Sequence, residues 1–194
     1  MKYNVTFLED THQYYVDGKE VPSVSKILLE NGLINTAFFT EEGRKRGSAI
    51  HLQIKNQERG ALCMLKPELH PYMVAWTNFK KECAWKSNPE FLERPMGCTL
   101  YGGTCDNIGT FEGKEAVLDI KSGTVSAATG LQLSAYEKLY GIYIEDPSKI
   151  LLRFSLQLTD TAHYILKEWR DRGDRYIFDS AVALFWWRKN NKLG

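Results

Sequence analysis

The run Ala116-Val117-Leu118-Asp119-Ile120-Lys121 limits the fold of this chain more than any other stretch. It is an apolar strand that ends on a carboxylate and an ammonium. Residues two apart on a strand leave the same face, so Asp119 and Lys121 project together. Aspartate is poorly suited to a strand interior, and burial is expected where three apolar residues lead into it. The run lies in a longer segment, Gly103 to Tyr136, that reads strand, turn, strand, helix and brings Asp106 beside it on a neighbouring strand. Two converging carboxylates repel unless a cation sits between them, and hard anionic oxygen donors suit Mg²⁺ or Mn²⁺. A lysine beside such a cation orients or deprotonates water, which points to metal-assisted phosphodiester hydrolysis. Without a metal, the same residues make a plain Asp119–Lys121 ion pair beside a solvated strand-end aspartate. Both readings stand at this point.

The rest of the chain supplies a frame for that segment. Residues 3–8 and 12–17 alternate around Glu9-Asp10 and read as a hairpin, closed by a turn at Asp17-Gly18. Pro22-Ser23 opens a helix through about Leu29, stopped by Asn31-Gly32, and a longer helix runs from near Thr40 to Gln57 behind an acidic first turn. A third helix, about 67–86, places Met73, Trp76, Phe79, Lys80 and Cys83 at helical spacing. Strands follow at about 90–97, 100–111 and 114–121, then a helix over 127–143, strands near 149–157 and 162–168, and a last helix over 173–191. The predicted class is α/β, a mixed sheet flanked by helices. All 194 residues are expected to form one domain, with residues 1–60 as an N-terminal hairpin and helices and 61–194 as the core.

Four short elements in this order resemble the PD-(D/E)XK nuclease superfamily, in its RecB-like, phage-type exonuclease branch. Gly103-Thr-Cys-Asp106 is similar to the branch's G-x-x-D, Asp119-Ile120-Lys121 to its D-x-K, Gln132 to Tyr136 to its Q-x-x-x-Y, and Arg46-Gly47 to His51 to its R-G-x-x-x-H. A D-x-K triplet alone arises often by chance; the four in order are specific. The resemblance implies a restriction-endonuclease-like core, with the N-terminal hairpin and helices as an addition. It implies metal ligation by His51, Asp106, Asp119 and the Ile120 carbonyl, with Glu93 as a further or supporting ligand, and catalysis through Lys121. Gln132 and Tyr136 would orient the site and the DNA backbone, and Arg46 would contact phosphate with Arg44 and Lys45 beside it. Activity is expected to be that of a Mg²⁺-dependent DNA exonuclease, with Mn²⁺ substituting, in a bacterial host cytoplasm. A phage or bacterial recombination or replication setting, beside a single-strand annealing or replication protein, is implied by analogy alone. The rivals are a structure-specific endonuclease and a non-cleaving binder of DNA or protein on the same core; a decayed site usually loses one of Asp106, Asp119 and Lys121.

Several of these residues have plainer readings. A lone helical histidine is more often a satisfied surface or core residue, although Gly47, four residues before His51, allows close backbone approach. A lone glutamate such as Glu93 is commonly just exposed. An amphipathic helix with Leu131, Leu139 and Ile142 buried explains Tyr136 well and Gln132 poorly. Trp76, Trp85 and the Phe185-Trp186-Trp187 run are most simply core. The net charge of +1 is low for a DNA-binding protein, so any DNA track must be local. With 43% hydrophobic and 25% charged residues the chain is globular in composition, and it has neither a membrane-spanning run nor a signal-peptide core. The cysteines at 63, 83, 98 and 105 form no C-x-x-C, so zinc is not expected, and no cysteine follows Cys105, so the iron–sulfur cluster that flanks the core of some relatives is not expected either.

Overall fold

A computed structural model describes residues 3–36, 39–61 and 64–193. Its centre is a five-stranded mixed sheet with strands in sequence order. These are β4 (Lys86–Gly97), β5 (Gly102–Phe111), β6 (Lys114–Lys121), β7 (Leu152–Leu158) and β8 (Tyr164–Glu168). All neighbours are antiparallel except β6 and β7, which run parallel. A parallel pair needs a crossover, and α4 (Ala128–Tyr143) provides it. This is an α/β arrangement with a mixed sheet flanked by helices, as the sequence pattern leads one to expect.

Strand alternation divides the interior. Ala116, Leu118 and Ile120 pack with α2 (Glu41–Glu58) and α3 (His70–Glu82), whereas Val117 packs with α4, α1 (Val24–Glu30) and α5 (Gly173–Asn190). Asp119 and Lys121 share the parity of Val117, so they leave the sheet on the α4 side. Trp76, Phe79, Leu118 and Leu156 are fully enclosed. Each such side chain contributes roughly 1.5–3 kcal/mol by burial. Thr40 caps α2 by accepting from the Gly43 N–H at 3.0 Å, and Glu41 and Glu42 face the positive end of its dipole. That cap sets the helix phase, which puts Ile50 and Ile54 in the core and His51 toward the sheet end.

Several sequence expectations need correction. The N-terminal hairpin is a three-stranded antiparallel sheet, β1 (Val5–Leu8), β2 (Gln13–Val16) and β3 (Lys19–Val21). The strands turn back at Glu9-Asp10 as expected, and the Asp17-Gly18 turn, with φ of +50° and +76°, leads into the additional short β3. The third helix ends at Glu82, not near 86, because Ala84 turns left-handed at φ +47° and Lys86 already begins β4. Trp187 is 56% exposed because, two residues after buried Phe185, it lies about 200° round the helix from that face. No helix among the described residues is long and apolar enough to cross a membrane. Cys83, Cys98 and Cys105 are free thiols, and Cys63 lies outside the described residues.

The N-terminal sheet is tied to the centre of the molecule. Gly102 N–H donates to the Pro22 carbonyl at 2.9 Å, and the Tyr14 hydroxyl and Thr104 Oγ1 are 2.8 Å apart. Glycine at 102 makes this possible: a Cβ there would fall 2.7 Å from the Tyr14 ring.

Candidate functional site

The β5–β6 ladder runs from Phe111–Lys114 to Asn107–Leu118, and Asp106 and Asp119 lie just beyond it. Instead of a strand carbonyl, the Ile120 N–H finds Asp106 Oδ2 at 2.6 Å. On the other side of β5, β4 changes register between Ser87 and Leu92, and Glu93 follows at φ +49°. A non-glycine residue in that region costs of order 1–3 kcal/mol, and such strain with a bulge re-aims side chains beside functional sites. Here it turns the Glu93 carboxylate toward Asp106 and His51.

His51, reaching over from α2, closes the group. Its Nδ1 donates to Glu93 Oε1 at 2.9 Å and lies 3.5 Å from Asp106 Oδ1, while Nε2 donates to the Ile120 carbonyl at 3.0 Å. Both ring nitrogens face acceptors, which only the imidazolium satisfies. Burial works to lower the His51 pKa, but the Asp106 and Glu93 carboxylates outweigh it and hold the group up to about 9. One donor atom each from His51, Glu93 and Asp106 lies within 4.8 Å of the others, a spacing one cation can bridge.

Asp119 is 1% exposed and accepts from Lys121 Nζ at 2.8 Å through Oδ1. Its Oδ2 is buried without a hydrogen-bond partner among the described residues. Burial, against the pull of Lys121, pushes Asp119 up to about 6, with Asp106 adding to the rise; burial likewise raises Asp106. For Lys121 burial acts downward, yet Asp119 and Asp106 prevail and keep it above its ordinary value. An orphaned carboxylate oxygen, two converging carboxylates and an imidazole fit a divalent cation.

From α4, Gln132 Oε1 accepts from Lys121 Nζ at 3.5 Å, and its amide donates to the Tyr136 hydroxyl at 2.9 Å. The first glycine of the Gly103–Asp106 element has a steric reason. A Cβ there would stand 2.8 Å from Tyr136 Cε1 and 3.0 Å from Val24 Cγ2, so β5 and α4 meet only across glycine. At Gly47 the expectation differs from what is found, since a Cβ would lie 3.6 Å from Ser122 Oγ, in ordinary contact. Arg46 donates to the Ser122 carbonyl at 3.2 Å, at the mouth of the site. Lys45 is spent on Glu41 at 2.6 Å, and Arg44 is exposed on the same helix turn. The sequence therefore placed His51, Glu93, Asp106, Asp119, Ile120, Lys121, Gln132 and Tyr136 in one region; Arg44 and Lys45 stand apart from it.

A cleft of about 370 Å³ reaches four of these groups, while His51, Asp119, Ile120 and Lys121 are not among the described residues that line it. Glu93 and Asp106 line its floor, and Gln132 and Tyr136 form one side. The opposite side comes from the N-terminal sheet, through Phe7, Glu9, His12 and Tyr14. No α2 residue is among the described residues that line the cleft. Nothing local in the sequence signals Phe7 or His12, because their position depends on how the small sheet docks across Gly102.

No protein-family model matches this sequence, and no curated protein does. Among solved structures it is similar to the crystal structure of an alkaline exonuclease (LHK-Exo) from Laribacter hongkongensis. The TM-score is 0.43, with 11% sequence identity over 89% of this chain and 89% of that one. It is similar to the same extent to LHK-Exo in complex with dAMP, with a TM-score of 0.43, 12% identity and 89% of each chain covered.

Proposed function

We propose that this protein is a divalent-metal-dependent deoxyribonuclease that degrades DNA from free ends. The observation that carries the reading is the convergence of His51, Glu93 and Asp106 beside the buried Asp119–Lys121 pair. The four motifs that resemble RecB-like nucleases fall on these residues or the side chains that hold them. A divalent cation held by Glu93, Asp106, Asp119, the Ile120 carbonyl and His51 would supply Lewis-acid stabilisation of a phosphate and lower the pKa of a water. Carboxylate and carbonyl oxygens suit Mg²⁺ or Mn²⁺.

The protein's own groups do the rest. Lys121, held by Asp119 and Gln132, is placed to orient water and to stabilise charge building on the phosphoryl oxygens. Asp119 fixes its ammonium from one side, and Gln132, itself held by Tyr136, from the other. Arg46, exposed at the mouth, is positioned for a phosphate of the entering strand. A cleft walled by the N-terminal sheet and by α4 favours entry of a strand end over lateral docking.

The test is cleavage of end-labelled linear and closed circular DNA, single- and double-stranded, with Mg²⁺ or with EDTA. Linear DNA should be reduced to short products only with the metal, while circles persist. Rapid nicking of covalently closed circles, abolished by Asp119→Ala, would make the protein an endonuclease instead.

A further inference from the structure

The cleft extends beyond Glu93 and Asp106 to an aromatic wall on the N-terminal sheet. There Phe7 stacks on Tyr14 with ring centroids 4.5 Å apart and planes at 30°, and the His12 ring meets Phe7 edge-on at 5.1 Å. Tyr14 is buried, with its hydroxyl engaged by Thr104, so it serves as backing. Phe7 is only half-buried and His12 is exposed, so these two rings have surface left to offer. No lysine or arginine is among the described residues that line the cleft, whereas the Glu9 carboxylate and the Ser23 hydroxyl are. A phosphate would meet Glu9 without a fixed cation to balance it. A flat, uncharged heterocycle with N–H edges meets an aromatic face and acceptors instead.

We infer that this end of the cleft is a nucleobase subsite, in which one unpaired DNA base stacks against Phe7 and His12 while its phosphate lies toward Glu93 and Asp106. The inference rests on the nuclease reading and adds the substrate's form. A base still paired and stacked in a duplex cannot present its face to Phe7, so the strand reaching the carboxylates is single or frayed at its end. Stacking accepts any base, so the subsite selects for strandedness more than for sequence.

The experiment uses the full chain in Ca²⁺, with single-stranded oligonucleotides carrying 2-aminopurine or an abasic site at the terminal nucleotide. The wild type should quench 2-aminopurine on binding, and the abasic strand should bind on the order of 5- to 150-fold more weakly. Phe7→Leu keeps apolar packing on Tyr14 but removes the flat face; it should lose the quench and a similar factor in affinity. Phe7→Trp should restore both. His12→Ala, at an exposed position, should weaken binding in the same direction, and it carries the test if Phe7→Leu fails to fold. Equal affinity for abasic and intact strands, or unchanged quenching in folded Phe7→Leu, overturns the subsite even if the wild type cuts DNA with Mn²⁺ in a parallel assay. A wild type that neither binds nor cuts DNA with metal overturns the nuclease reading, and the subsite with it.

Discussion

With both ring nitrogens facing acceptors and a pKa held up to about 9, His51 stays charged through neutral pH in metal-free protein. The sign of the resulting pH dependence follows from linkage. A folded pKa above the ordinary histidine value of 6.5 gives stability that is complete below 6.5 and lost as pH rises through about 9. Asp119, raised to about 6 by burial, acts in the same direction at lower pH, over about 4 to 6. Denaturant titrations in EDTA should therefore show stability declining between pH 6.5 and 9, and His51→Gln should flatten that window. A metal at these donors must displace the imidazolium proton, so adding Mn²⁺ at pH 7.5 should release about one proton per site, read in weakly buffered solution. Lys121→Ala removes the partner of a buried carboxylate and the charge beside the reacting phosphate. It should lower cleavage by at least about a thousandfold while DNA binding persists. Near-normal rates in that variant would assign the charge stabilisation elsewhere.

At the scale of elements, the site depends on where three pieces stop or bend. The β5–β6 ladder ends before Asp106 and Asp119, β4 bulges ahead of Glu93, and β5 approaches α4 through Gly103. Gly103→Ala would press a methyl group into the buried Tyr136 ring, at a cost of about 1–3 kcal/mol. Because Tyr136 holds Gln132 and Gln132 reaches Lys121, the same change should also reduce cleavage more than it reduces DNA binding. A thermal melt paired with single-turnover rates checks both parts. These elements differ in how legible they are from sequence. Asp119 and Lys121 share a face by strand alternation alone, and Thr40 with its acidic turn marks the start of α2, so both are readable locally. The aim of Glu93 is not: it comes from a left-handed backbone at a residue that is neither glycine nor asparagine. Three residues of β3 carry too little pattern to distinguish a third strand from a turn. The aromatic wall is hidden for another reason, since Phe7 and Asp106 meet only after the small sheet docks on Gly102 and Thr104.

For the whole molecule, charge and architecture lead to the same expectation. A net charge of +1 and a cleft with no lysine or arginine among the described residues that line it leave few cations for the DNA backbone. Lys121 and Arg46 are the cations placed at the site, and even with Arg44 and Lys45, which stand apart on α2, the count reaches only about four phosphate contacts. Binding to single strands in Ca²⁺ should then weaken with salt at a log–log slope no steeper than about −3. A much steeper slope would mean that the DNA track lies outside the cleft. The central claim is that His51, Glu93 and Asp106 with the Ile120 carbonyl hold the ion that the chemistry needs. Anomalous scattering from a Mn²⁺-soaked crystal tests it most directly. The account predicts a single strong peak among those donors within reach of Asp119 Oδ2, absent in Asp106→Asn; a wild-type crystal with Mn²⁺ ordered elsewhere and none between Glu93 and Asp106 would contradict it.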